Sequence, residues 1–144
     1  MKIADILATK GPAVHSVLPW RTVADTVRRL DELRVGALLV CDEKHAVRGI
    51  VSERDVVRAL ARHGAALLAM PVSEVMTTGV HTCTPDESVA RAMAQMTAGR
   101  YRHLPVLDGG ALVGMVSIGD LVKHRVREME LETGVLRDVA IARS

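Results

Sequence analysis

Serine and aspartate recur in this chain at one fixed spacing. Gly49-Ile50-Val51-Ser52-Glu53-Arg54-Asp55 returns as Gly114-Met115-Val116-Ser117-Ile118-Gly119-Asp120, so glycine, two apolar residues, serine, two variable residues and aspartate are written twice. Each phrase closes a short apolar run and opens a helix-like stretch. The chemistry such residues offer is capture rather than bond-making. A helix start presents unpaired N–H groups and partial positive charge, which suit an anion. A serine hydroxyl can donate to a phosphate or ribose oxygen, and a carboxylate can accept from two ribose hydroxyls at once. The glycine lets a ligand or another chain segment approach the backbone. The same spacing is also that of a capping box, with aspartate in the usual place of glutamate or glutamine. The two roles are compatible, and the spacing leaves both open.

The elements that position these phrases are duplicated as well. Val14-His15-Ser16-Val17-Leu18-Pro19 matches Val80-His81-Thr82-Cys83-Thr84-Pro85, 66 residues on. Val23-Ala24 pairs with Val89-Ala90, and Leu38-Leu39-Val40 with Leu104-Pro105-Val106, at the same offset. From Ala46 the offset becomes 65, because the second copy has a turn one residue shorter. Ile3-Ala4-Asp5-Ile6-Leu7 resembles Val72-Ser73-Glu74-Val75-Met76, which leaves a three-residue excess in the first copy around Lys10-Gly11-Pro12. A repeat held in register over several segments sets the architecture.

Each copy reads as strand, helix, strand, strand, helix. The spacing predicts a strand over Val14–Val17 and a helix from Thr22, its cap, to about Arg34, with Val23, Val27, Leu30 and Leu33 on one face. Gly36–Cys41 is a continuous apolar run suited to a strand buried on both faces. Ala46–Val51 returns as a hairpin partner, and Ser52 opens a helix to about Arg62, stopped by Gly64. In the second copy Ser88 caps a helix that Gly99 ends, and His103–Leu107 is the buried strand. Asp108-Gly109-Gly110 is a tight-turn signal, and Ser117 opens a last helix toward Glu132 that Gly134 breaks. Residues 1–68 are read as the first repeat, 69–133 as the second and 134–144 as a tail.

The 144 residues amount to one domain or two half-domains sharing a core. A hydrophobic content of 49% is ample for a core and too high for disorder. With one Trp, one Tyr and no Phe, few rings exist to stack bases, which argues against a single-stranded nucleic-acid binder. A net charge of +2 with mixed signs and no basic stripe argues against DNA binding. Cys41 and Cys83 sit in apolar contexts without CxxC spacing and read as reduced, buried thiols. With no secretory n-region and no long apolar stretch, a cytoplasmic location and no membrane association are expected. His81 and Cys83 are two apart in one expected strand, but two ligands do not make a zinc site, so no metal is expected.

These residues resemble the tandem CBS-domain family, named after cystathionine β-synthase, from about Ile3 to Glu132. The resemblance rests on the two Gly-x-x-Ser-x-x-Asp phrases, on Arg102-His103-Leu104-Pro105-Val106, on Pro19 and Pro85, and on the order of elements. It implies a mixed fold, α+β or α/β, of two β-α-β-β-α repeats packed about a pseudo-twofold axis. It also implies binding of adenosine ligands: AMP, ADP or ATP, with NAD(H) or S-adenosylmethionine as further candidates and no cofactor required. By the same resemblance each binding cleft is composite. Ser52, Arg54 and Asp55 are expected to face Thr82, Arg102 and His103, with Arg100 nearby; Ser117 and Asp120 are expected to face Ser16, Gly36 and Ala37. The first cleft is then cationic and suits phosphates, whereas the second has no basic residue among those positions. No nucleophile elbow, Walker loop or Ser–His–Asp arrangement is present, so an enzyme is not expected.

The leading expectation is a non-enzymatic sensor that signals ligand state to a separate, unidentified protein partner, with a homodimer implied by the resemblance. The alternative is a ligand-independent homodimeric interaction scaffold in which both phrases are only caps. Leu121, Val122, Val126 and Met129 form an apolar stripe on the last helix that is more often core than interface.

Overall fold

The computed structural model describes residues 1–11 and 13–143, with side chains through residue 134 apart from Pro12. In chain order the helices are α1 (Ile3–Lys10), α2 (Val23–Leu33), α3 (Glu53–His63), α4 (Val89–Gly99) and α5 (Ile118–Arg143). The strands are β1 (Ser16–Val17), β2 (Ala37–Cys41), β3 (Val47–Ser52), β4 (His103–Asp108) and β5 (Ala111–Ser117). Two 3-10 segments, Gly64–Ala69 and Val72–Glu74, follow α3. The chain forms two compact units, one of residues 14–81 and one of residues 1–13 with 82–144.

In the first unit β1 runs parallel to β2, and β2 pairs antiparallel with β3. All five residues of β2 are buried, as an uninterrupted apolar run on the middle strand requires. Val17, Leu30, Leu38, Val40, Val51 and Val72 make the core. Thr22 caps α2 by accepting from Asp25 N at 3.1 Å, which satisfies one of the orphan donors of the first turn. On the helix face Val23 and Leu30 are buried, whereas Val27 is exposed and Thr26 takes the inner position instead. Thr26 tolerates this because its hydroxyl donates to Thr22 O at 2.9 Å.

The second unit has a two-stranded sheet, β4 with β5. Its core joins Ile3 and Ile6 of α1 to Met96, Leu104, Val106, Val116 and Leu121. The hairpin is closed by Gly109 and Gly110, both at positive φ, the conformation a two-residue turn demands. The strand expected before α4 is reduced to one bridge at Cys83, whose N–H donates to Pro105 O and whose carbonyl accepts from Leu107 N. In the first unit Leu39 N also donates to His15 O. Pro105 stands where Leu39 stands in the repeat and has no N–H, so that rung has no counterpart.

Two helix ends depart from the sequence reading. Gly99 is the last residue of α4, and the left-handed cap is Arg100, as Arg34 is for α2. A side chain at Gly99 would collide with the Tyr101 ring, so the glycine provides space. Gly134 does not break α5, which continues to Arg143. An interior glycine costs about 1 kcal/mol relative to alanine, too little to end a helix flanked by good formers.

The copy starts exchange places. Ile3 N donates to Glu87 O, Ala4 N to Pro85 O, and Val89 N to Met1 O. The same three bonds recur as Val72 N to Arg21 O, Ser73 N to Pro19 O, and Val23 N to Met70 O. Residues at the head of the first copy therefore complete the second unit, and residues at the head of the second copy complete the first.

Candidate functional site

Two corners carry the repeated phrase, one in each unit. At the first, Ser52 ends β3 and caps α3. Ser52 N donates to Asp55 Oδ2 at 2.9 Å, Ser52 Oγ donates to the same oxygen at 3.0 Å, and Asp55 N returns a 3.4 Å bond to Ser52 Oγ. Thr77 Oγ1 donates to Asp55 Oδ1 at 3.0 Å. The capping box anticipated from the spacing is thus formed, and every partner of the carboxylate is neutral. Thr77 escaped the sequence reading because in the repeat it corresponds to Ala8, which has no hydroxyl to mark the position.

At the second corner, Ser117 N donates to Asp120 Oδ2 at 2.9 Å, and Asp120 N donates to Ser117 Oγ at 3.1 Å. The third partner is different. Lys10 Nζ lies 2.7 Å from Asp120 Oδ2 and donates to Met115 O at 2.9 Å. The expectation of a corner without a basic residue is corrected by this contact. Lys10 belongs to the three-residue excess of the first copy, and its excess is what carries an ammonium to the second phrase.

The Lys10 contact shifts the Asp120 carboxyl. Burial works to raise the Asp120 carboxyl, but the Lys10 hydrogen bond and charge and the Ser117 donors outweigh it and hold the group below the ordinary carboxylate value. A depressed carboxylate contributes stability above its unfolded pKa, and that contribution is lost as pH falls through the folded value. Burial and the Glu87 charge push the Cys83 thiol up to about 12, and burial raises Cys41 as well. Both cysteines are buried and free, a setting that makes thiols inert.

The glycine of each phrase makes room for the protein itself. A Cβ at Gly49 would lie 2.7 Å from Met76 Sδ and 2.8 Å from Thr77 O. One at Gly114 would lie 2.6 Å from Leu7 Cδ2. Leu7 and Met76 are matched positions of the exchanged segments, so the close approach foreseen at these glycines is met by a chain segment.

The remaining candidates distribute by unit. Gly36 O accepts from Glu53 N at 3.0 Å, and Ala37 pairs with Ser52, which sets both beside the Asp55 corner. Arg102 O accepts from Ile118 N at 2.8 Å, and His103 pairs with Ser117, which sets both beside the Asp120 corner. Ser16 lies on β1 with its carbonyl accepting from Arg29 Nε at 3.0 Å. Arg54, Thr82 and Arg100 are exposed. His81 and Cys83 do not share a strand, since only Cys83 makes a bridge. Among the described residues no cluster of three or more potential metal ligands occurs, and no helix is long and apolar enough to cross a membrane.

Two copies of a small sheet flanked by helices, each with a serine–aspartate corner at a helix start, define a tandem α/β repeat module. The chain belongs to the CBS-domain family, whose CBS domain model matches residues 3–62 and 72–127. It is 37% identical over 134 residues to the mitochondrial CBS domain-containing protein CBSX3 of Arabidopsis thaliana, covering 88% of this chain and 65% of that protein. The crystal structure of the CBS-domain containing protein ATU1752 from Agrobacterium tumefaciens matches with a TM-score of 0.86 at 40% identity, over 87% of this chain and 99% of that one. The structure of CBSX2 in complex with AMP shares the fold at a TM-score of 0.73 and 24% identity, over 89% of this chain and 98% of that one.

Proposed function

We propose that the chain is a non-enzymatic regulatory module that binds an adenosine-containing ligand and reports it to a separate protein. The observation that carries this reading is the Asp55 corner. Its carboxylate is fixed at a helix start by hydroxyl and N–H donors alone. Hydroxyl donors can rotate away and yield their places to ribose hydroxyls without stranding a charge. CBSX2, which shares the fold, was solved with AMP. AMP is the first candidate ligand, ahead of ADP, ATP, NAD(H) and S-adenosylmethionine. Gly36, Ala37, Ser52, Arg54 and Asp55, with Ser16 of the same unit, are the proposed contacts at one corner. Arg102, His103, Ser117 and Asp120, with Thr82 of the same unit, are those at the other. Buried thiols fit a reducing compartment such as the cytoplasm. Thermal melts with each ligand test the reading. Saturation at about 100 times Kd adds about 2.7 kcal/mol, a rise of several degrees for a domain of this size. No rise with any of these ligands would leave only the scaffold.

A specific observation also favours the scaffold's dimeric element. Val122, Val126 and Met129 on α5 are 45%, 47% and 55% exposed, and only Leu121 of that stripe is buried. Val57 on α3, the repeat partner of Val122, is 65% exposed. We propose that these faces pair two copies of the chain. Sedimentation equilibrium should give a dimer for the wild type and a monomer for the Val126→Glu, Met129→Glu double variant. A wild-type monomer at high micromolar concentration would refute the pairing.

A further inference from the structure

The repeat demands a serine and an aspartate at each corner, but it does not demand the ammonium found at one of them. Lys10 Nζ spends two of its three protons on Asp120 Oδ2 and Met115 O. The Asp55 carboxylate, by contrast, is held by Ser52 and Thr77. The pair is half-buried, with the Lys10 and Asp120 side chains 38% and 27% exposed, so the contact is neither sealed in the core nor screened as a free surface pair.

We propose that Lys10 is the charge-selecting residue of the Asp120 corner, holding the carboxylate in the absence of ligand and turning to the phosphate of a ligand whose ribose hydroxyls take that carboxylate. The proposal rests on the adenosine-ligand reading above. Its logic is an exchange of partners. A nucleoside offers Asp120 two neutral hydroxyls in return for a charge-assisted bond, and it leaves the ammonium with no anion. A nucleotide offers the same hydroxyls and returns an anion to the ammonium. Lysine suits that role, because its charge is compact and its four-carbon stem lets it swing from one oxygen to another. The Asp55 corner has no such residue among its carboxylate's partners, so the two corners discriminate by different means.

Titration calorimetry with AMP and with adenosine tests this on the wild type, Lys10→Met, Lys10→Arg and Asp120→Asn, with Ser117→Ala replacing the last if it does not fold. The binding event lost in Asp120→Asn belongs to this corner. For that event Lys10→Met is expected to weaken AMP about ten-fold, the equivalent of one charge-assisted bond, and to strengthen adenosine, while Lys10→Arg keeps the wild-type preference for AMP. A Lys10→Met protein that melts lower yet keeps the wild-type ratio of AMP to adenosine affinity would make the ion pair purely structural and overturn the proposal. So would a wild type whose every AMP event survives Asp120→Asn. Failure of the wild type to bind either compound is a separate result, which overturns the adenosine reading itself.

Discussion

Replacing Asp55 by asparagine is expected to abolish the melting response to AMP while leaving most of the protein's stability, and replacing it by alanine is expected to abolish the response and lower the melting point as well. The carboxylate closes a capping box and receives a hydroxyl from Thr77. Alanine forfeits the reciprocal cap and leaves the half-buried Ser52 N–H without its acceptor. Loss of a cap and of a satisfied donor together cost about 2 kcal/mol. Asparagine keeps an acceptor oxygen for Ser52 N, so its cost is a fraction of that. It carries no charge and offers only one acceptor atom to a ribose diol. Melts of the two variants with and without AMP separate the structural role from the binding role. An asparagine variant with the wild-type AMP shift would show that the carboxylate only caps.

The second large effect is steric. Gly49→Ala should destabilise more than Gly114→Ala, although both glycines occupy the same place in the repeat. The methyl at Gly49 meets Met76 Sδ and the backbone oxygen of Thr77. That oxygen is fixed by Ile50 N at 3.0 Å and cannot retreat without breaking a pair that Thr77 N and Ile50 O also maintain at 2.8 Å. Overpacking against backbone costs about 1–3 kcal/mol. At Gly114 the methyl meets only the end of the Leu7 side chain, which can change rotamer at a cost of about 1 kcal/mol. Thermal or urea unfolding of the two variants measures the difference. Equal losses would mean that the exchanged segment yields as readily as a leucine tip.

Most of the fold was legible because the repeat and the caps speak through local chemistry. Thr22, Ser52, Ser88 and Ser117 each open a helix, and the glycine pair after Asp108 turns the hairpin. What escaped has physical causes. The loss of a strand at Cys83 follows from a missing N–H on Pro105, a residue that in sequence reads only as part of an apolar run. Gly99 reads as a helix stop, yet it serves a ring two residues on. The α5 stripe reads as core because periodicity records which residues share a face and says nothing of what covers it. At the corners, the serine and aspartate were legible as a pair. Thr77 and Lys10 were not, because the segments that bring them come from the other end of the repeat, and Lys10 lies 110 residues from its partner.

The exchange of leading segments also governs the order in which the polypeptide becomes structured during synthesis. Residues 14–81 are contiguous and hold everything their unit needs, including Val72 in its core. They can collapse once that stretch has left the ribosome. Residues 1–13 have no such option. Ile3 and Ile6, fully or nearly inaccessible in the finished molecule, must wait for Met96, Leu104 and Leu121. Long-range closure of this kind is slow and leaves apolar surface uncovered meanwhile. Ile3 and Ile6 are therefore exposed apolar residues that benefit from chaperone cover until those partners are made.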